Sequence, residues 1–146
     1  MNQELNIKKT QIVFGKDSVI IQKWNGDIKG GRALDWSDVK EDVLYAGRII
    51  ITDGKGKYKP LGIESDNYKA LSTEAGFNYA GVLYRSIPKG DSAAIMISGQ
   101  INKVAAKEAN GADYPADFLS AFPTIQLVAD ENANSYNEKD TTLDKE

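Results

Sequence analysis

The sequence contains no cysteine and no histidine. Without thiols it has no disulfide scaffold and no thiol nucleophile; without imidazole it has no Ser-His-Asp triad and no zinc site of the usual Cys/His kind. No stretch approaches the roughly 18 apolar residues that a membrane helix needs. Residues Met1 to Thr10 are polar and charged, with no apolar core of a secretory signal, so neither export nor membrane association is expected. The net charge is −3, from 18 basic and 21 acidic residues. Phosphate neutralisation needs clustered Lys and Arg in excess, so nucleic acid is not an expected partner. No cofactor is expected either.

What remains is a chain of 146 residues, 41% apolar, 27% charged and carrying 13 glycines. That length suits one core with trimmings, and the glycines suit many turns. Charge is unevenly spread. Residues 1–30 carry five Lys against three acids, whereas residues 130–146 carry six acids against two Lys. A basic leading arm and an acidic tail either seek oppositely charged partners or are simply solvated.

The chain is organised around Asn78 to Ile101, where two apolar runs flank Pro88-Lys89-Gly90-Asp91. Ile95, Ile97 and Ile101 fall on alternate positions of the second run, the period of a strand with one buried face. The pattern predicts a β-hairpin, with Pro88 setting φ and Gly90 supplying positive φ at the reversal. Upstream, Gln11 to Phe14 and Ser18 to Ile21 predict two short strands around Gly15-Lys16-Asp17. Asn25-Gly26 reads as a turn and Gly30-Gly31 as a seam. Such a lone hairpin is marginal in water, so Ile12, Phe14, Val19, Ile21 and Trp24 need a surface to cover, either the main domain or another protein.

Further along, Asp38 and Glu41 have capping-box spacing for a short helical turn. Ile49 to Ile51 enter a hairpin turn at Asp53-Gly54. Lys55, Lys57 and Lys59 share one face of an extended segment, at best a small basic patch. Leu61 to Gly76 reads as a connecting loop with room for a short strand. Asn102 to Asn110 is a strand end or a helical turn, Asp113 to Leu119 a short helix stopped by Pro123, and Thr124 to Val128 a last strand. Residues 130–146 read as an acidic flexible tail. The expected architecture is therefore mainly β, a small β-barrel or β-tulip-like domain with one or two short helices. It spans residues 31–129, between an N-terminal strand-forming arm over residues 1–30 and the polar tail.

Three chemistries are open to particular side chains. Asp35, Asp38, Glu41 and Asp42 offer carboxylates to calcium, but the glycine and closing Glu of an EF-hand loop are lacking. Asp35 with Asp38 is the best pair for carboxylate acid-base catalysis, although neither lies in an apolar stretch that would raise its pKa. Trp24, Trp36, Tyr68 and Tyr79 are candidates for an aromatic, glycan-binding platform; aromatics with a polar edge more often sit in a core or at its rim.

The order of several motifs resembles the head decoration proteins of tailed bacteriophages, the lambda-type capsid cement or auxiliary capsid protein family. The residues that carry the resemblance are Val43-Leu44-Tyr45-Ala46-Gly47-Arg48-Ile49-Ile50, Gly56-Lys57-Tyr58-Lys59-Pro60-Leu61, Ala80-Gly81-Val82-Leu83 and Ala94 to Asn102, closed by Phe118 to Leu127. It covers roughly Gly31 to Val128, and the longer strand-forming arm and the acidic tail depart from the family's simplest pattern. The resemblance implies a β-rich body without catalysis that binds the major capsid protein on the outer virion surface, often as a homotrimer, with the host cytoplasm as its place of assembly. An N-terminal arm that adds to a neighbouring sheet edge would make Gln11, Ile12, Val13, Phe14, Val19, Ile21 and Trp24 the partner-binding residues. The alternative is a head-fibre or receptor-binding module on the same surface.

Overall fold

The apolar runs pair into one open, mixed sheet. In the computed structural model, which describes residues 17–128, the chain begins with a helical turn α1 (Asp17–Ile20) and strand β1 (Ile21–Asp27). Then come β2 (Val43–Leu44), β3 (Ile49–Thr52), β4 (Tyr58–Pro60), β5 (Ile63–Glu64), β6 (Asn67–Tyr68), a 3-10 turn (Leu71–Thr73), β7 (Asn78–Leu83), β8 (Ile87–Pro88) and β9 (Ile95–Asn102). Helices α2 (Lys103–Asn110) and α3 (Ala116–Ala121) lead to β10 (Ile125–Val128). The six-stranded sheet has the order β1-β9-β7-β3-β4, with β10 laid parallel against β9 after the crossover through α2 and α3. Two-stranded pairs β2-β8 and β5-β6 flank it.

The expected β-rich class is what the chain adopts, but the sheet does not close into a barrel. Its two terminal strands, β1 and β4, do not pair with each other. The outer side of β4 is instead occupied by the loop at Leu34 and Asp35, whose backbone N–H donates to the Tyr58 carbonyl at 2.7 Å.

Both faces of the sheet are covered. On one lie α1, α2 and α3 with Ile20, Ile49, Ile51, Val82, Met96, Ile101, Ala106 and Phe118; on the other, Leu34, Val39, Leu44, Ile50, Leu83, Ile87 and Ile95. Ile49, Ile50 and Ile51 are all fully buried. A strand sandwiched on both sides has no solvent face to spend polar residues on, which is why this run reads as continuous and not alternating.

Several expected elements changed character. Ser18 to Ile21 is not a second hairpin strand, because Asp17–Ile20 forms a helical turn with Val19 and Ile20 buried. Tertiary contacts override the β preference of those residues: the Asp17 carboxylate accepts from both the Ser86 backbone N–H and the Ser86 hydroxyl, pinning the turn to the loop after β7. Asn25-Gly26 is no turn; it lies inside β1, where the pairing with β9 slips between Trp24 and Gly26, a β-bulge. Because β1 belongs to the main sheet, a boundary at residue 30 does not separate residues 17–27 from the body.

The central hairpin exists as the antiparallel β7-β9 pair, joined at Val82↔Met96 and Leu83↔Ile95. Its expected turn, with Gly90 at φ 98°, instead follows β8, which has left to pair with β2. Asp38 and Glu41 cap no helix, and Glu41 pairs with Arg48 instead. The Asp53-Gly54 hairpin forms as expected, with the Asp53 carboxylate accepting from the Lys55 and Lys57 backbone N–H groups. In the expected loop, β5 and β6 form a tight hairpin whose Ser65 and Asp66 both take positive φ, the signature of a type I′ turn. Asn102 caps α2, its side chain accepting from the Val104 and Ala105 N–H groups, and Gly111 ends it at φ 87°.

Candidate functional site

Strand β1 is an edge. It pairs with β9 on one side, and among the described residues no strand lies on its other side. Its register against β9 shifts three times, between Ile21 and Lys23, Trp24 and Gly26, and Gly26 and Asp27. The strand starts at buried Ile21, and from Gln22 to Asn25 its side chains are exposed. Trp24 is 47% exposed, and the one other large hydrophobic side chain left in solvent among the described residues is Tyr45 at 37%. An indole held out on a sheet edge is a costly residue to solvate and a favourable one to dock.

The expected contact residues divide accordingly. Val19 and Ile21 are buried in the chain's own core, so the surface they were expected to need is the main domain. Trp24 stands clear of it. Gln11, Ile12, Val13 and Phe14 lie outside the described residues, as does the acidic tail.

The four aromatics do not gather into a platform. Tyr68 is buried, with its ring 6.2 Å from that of Tyr114, and its hydroxyl oxygen accepts from the Ile49 N–H. Tyr79 meets Phe118 edge-on at 5.2 Å, and Trp36 packs half-buried beneath the opposite face. Burial holds the Tyr68 phenol up to about 12 and lifts Tyr114 and Tyr79 as well. A folded pKa raised above the unfolded value of 10 leaves stability intact below pH 10 and removes it as pH climbs through the folded value. For Tyr68 alone the loss amounts to about 3 kcal/mol, two pKa units at roughly 1.4 kcal/mol each. Urea titrations at neutral pH and at pH 11 are expected to show a clearly lower midpoint in alkali; equal midpoints would mean that these phenols are solvated.

A cleft of about 480 Å³ opens between the Asp35–Glu41 loop and the β5-β6 hairpin, and both Asp35 and Asp38 line it. Its floor is Arg48, 3% exposed, whose Nε donates to the Leu61 carbonyl at 3.0 Å and whose Nη1 meets Glu41 Oε2 at 2.6 Å. Burial pushes the Glu41 carboxyl up, but the Arg48 hydrogen bond and charge outweigh it and hold the group below its ordinary value. Hydrogen bonds from the Ser37 hydroxyl and backbone N–H, joined by Lys57, hold Asp35 at about 2. Neither group is poised to hand over a proton near neutrality.

A second hollow of about 500 Å³ is lined by Asp17, Arg85 and Ser86. Burial raises the Asp17 carboxyl, partly offset by its Ser86 hydrogen bonds. Ser86 donates to Asp17 and accepts from the Ala46 N–H, so its hydroxyl is used as a strut.

The carboxylates weighed for calcium and the lysines of the hairpin tip are engaged in pairings of their own. Asp35 turns to Ser37 and Lys57, and Glu41 to Arg48; among the described residues no three ligating side chains converge on a metal position. Lys57 is committed to Asp35, and Lys59 to Glu74 with its ammonium 4.6 Å above the Phe77 ring, which leaves Lys55 alone at the tip. The Arg48-Glu41 and Asp17-Ser86 pairs were not foreseen. A charged residue embedded in Tyr45-Ala46-Gly47-Arg48-Ile49 was the available signal for the first; nothing local marks the second, whose partners are 69 positions apart.

Among the described residues no helix is long and apolar enough to cross a membrane. Comparison with family models, with curated proteins and with solved structures gives no match.

Proposed function

We propose that the chain is a non-enzymatic decoration protein that lies on the outer surface of a tailed-phage head and cements the expanded shell. The observation that carries this reading is Trp24, exposed on an edge strand that lies one helical turn downstream of the β-forming sequence Gln11 to Phe14. The motif order along Val43 to Leu127 supports it. A shell repeats one surface many times, so modest contacts by each copy, or by each arm of a self-associated trimer, multiply through avidity. In this reading the arm adds to a sheet edge of the major capsid protein and Trp24 anchors its base.

Co-sedimentation with expanded shells assembled from a tailed-phage major capsid protein tests it. Removal of residues 1–16 deletes none of the described elements, and is expected to abolish binding while the folded body survives. Trp24→Ser is expected to weaken binding by roughly 30-fold, the equivalent of about 2 kcal/mol for a buried Trp anchor. Both variants sedimenting like the parent chain would refute the proposed contact.

A second reading, a head-fibre or receptor- and glycan-binding module, draws on the polar rung beside Trp24. There Lys23 pairs in register with Gln100, whose amide donates to Gln126 at 3.2 Å. Saturable glycan binding by the isolated protein, lost in Trp24→Ser, would favour it.

A further inference from the structure

The chain holds two Asn-Gly pairs in opposite circumstances, and we propose that one of them, Asn25-Gly26, is a site of spontaneous deamidation in the folded protein. The reaction needs no enzyme. The backbone nitrogen of the following residue loses its proton and attacks the asparagine Cγ, so that an N–Cγ bond forms, the Cγ–Nδ2 bond breaks and ammonia leaves. Water then opens the resulting succinimide at either carbonyl, giving aspartate or isoaspartate with no change of oxidation state. Glycine is the favourable successor because no Cβ shields its nitrogen and its backbone turns freely.

At Asn25 the fold leaves the side-chain amide free, while Gly26 pairs in register with Ser98. The residue falls at the β1 bulge, where pairing jumps from Trp24↔Gly99 to Gly26↔Ser98 and leaves Asn25 without a cross-strand partner. Its side chain is exposed, and among the described residues its amide makes no hydrogen bond. An unpaired bulge on an edge strand is also where local opening is least expensive.

At Asn110-Gly111 the same dipeptide is locked. The Asn110 Nδ2 donates to the Ala46 carbonyl at 3.0 Å, and the Gly111 N–H, the would-be nucleophile, donates to the Lys107 carbonyl at 2.7 Å as the cap of α2. Both the leaving group and the attacking nitrogen are tied down.

Conversion at Asn25 places a carboxylate beside Trp24, and the isoaspartate product also inserts a backbone methylene into β1. The edge thereby carries its own ageing mark: a copy kept in solution acquires negative charge and altered register at the position next to its exposed indole.

The test is peptide mapping by mass spectrometry after incubation of the full chain in mildly alkaline buffer, folded and in urea. In the folded protein the peptide containing Asn25 is expected to gain the mass of an amide-to-acid conversion, split between aspartate and isoaspartate, while the peptide containing Asn110 does not; in urea both convert. Gly26→Ala is the matched variant, since a Cβ there meets nothing nearer than the Ser98 Cβ at 3.9 Å and the fold accepts it. It is expected to slow conversion at Asn25 by about tenfold or more, about 1.4 kcal/mol in the barrier. If the folded chain keeps Asn25 intact for as long as Asn110, or if Gly26→Ala leaves the rate unchanged, the proposal is wrong.

Discussion

Gly99→Ala is expected to cost on the order of 4 kcal/mol or more, placing it among the rare substitutions that disable a small domain. Gly99 has φ 155°, and a Cβ there would sit 2.2 Å from the Lys23 carbonyl oxygen and 2.9 Å from the Met96 sulfur. The first neighbour is backbone of β1, so the clash is relieved only by parting β1 from β9 at the Trp24↔Gly99 rung. Gly54→Ala separates the two contributions, because Gly54 also has positive φ (75°) but nothing lies within 4 Å of its Cβ position. Conformational strain alone predicts about 1–2 kcal/mol at that turn. Urea denaturation of the two variants reads the difference; similar losses at both sites would mean that β1 does not press on β9 as described.

Phe118→Ala is expected to cost about 3–5 kcal/mol, the usual range for emptying a large aromatic site in a core. Phe118 is fully buried on α3, with the rings of Tyr79, Tyr114 and Phe122 at 5.2, 5.5 and 5.4 Å. It is the peg that seats α3 on the sheet, and α3 in turn delivers β10 to its parallel place on β9. Hydrogen exchange should therefore accelerate first in Ile125–Val128, ahead of β3 and β7. A loss below about 1 kcal/mol would show that the site collapses around the missing ring or that α3 is not held through it.

How much of this was legible in the sequence depends on how local each signal is. The Asp53-Gly54 hairpin, the helix stopped by Pro123 and the strand after it were readable because turn chemistry and apolar spacing are decided within a few residues. Asp17–Ile20 was misread because Ser18-Val19-Ile20-Ile21 has the composition of a strand, and what makes it helical is a loop 69 positions away. Asn25-Gly26 carries the strongest hairpin dipeptide, yet the sheet absorbs it as a bulge, since an edge strand tolerates an extra residue that a central strand would not. Trp24, read as a side chain in need of cover, stays 47% exposed. Val19 and Ile21, placed with it on pattern alone, turned out to find that cover inside the chain, because side-chain periodicity tells which residues share a face and not which layer meets it.

In the proposed function, the leading edge of the β body docks on a repeating protein surface. The most direct test is the temperature at which expanded, undecorated heads of the partner capsid protein open and release their DNA, measured with and without a saturating amount of this chain. A clear upward shift is expected with the full chain, and none with the chain lacking residues 1–16. An unchanged opening temperature, with all of the protein recovered in the supernatant, would contradict the proposed function.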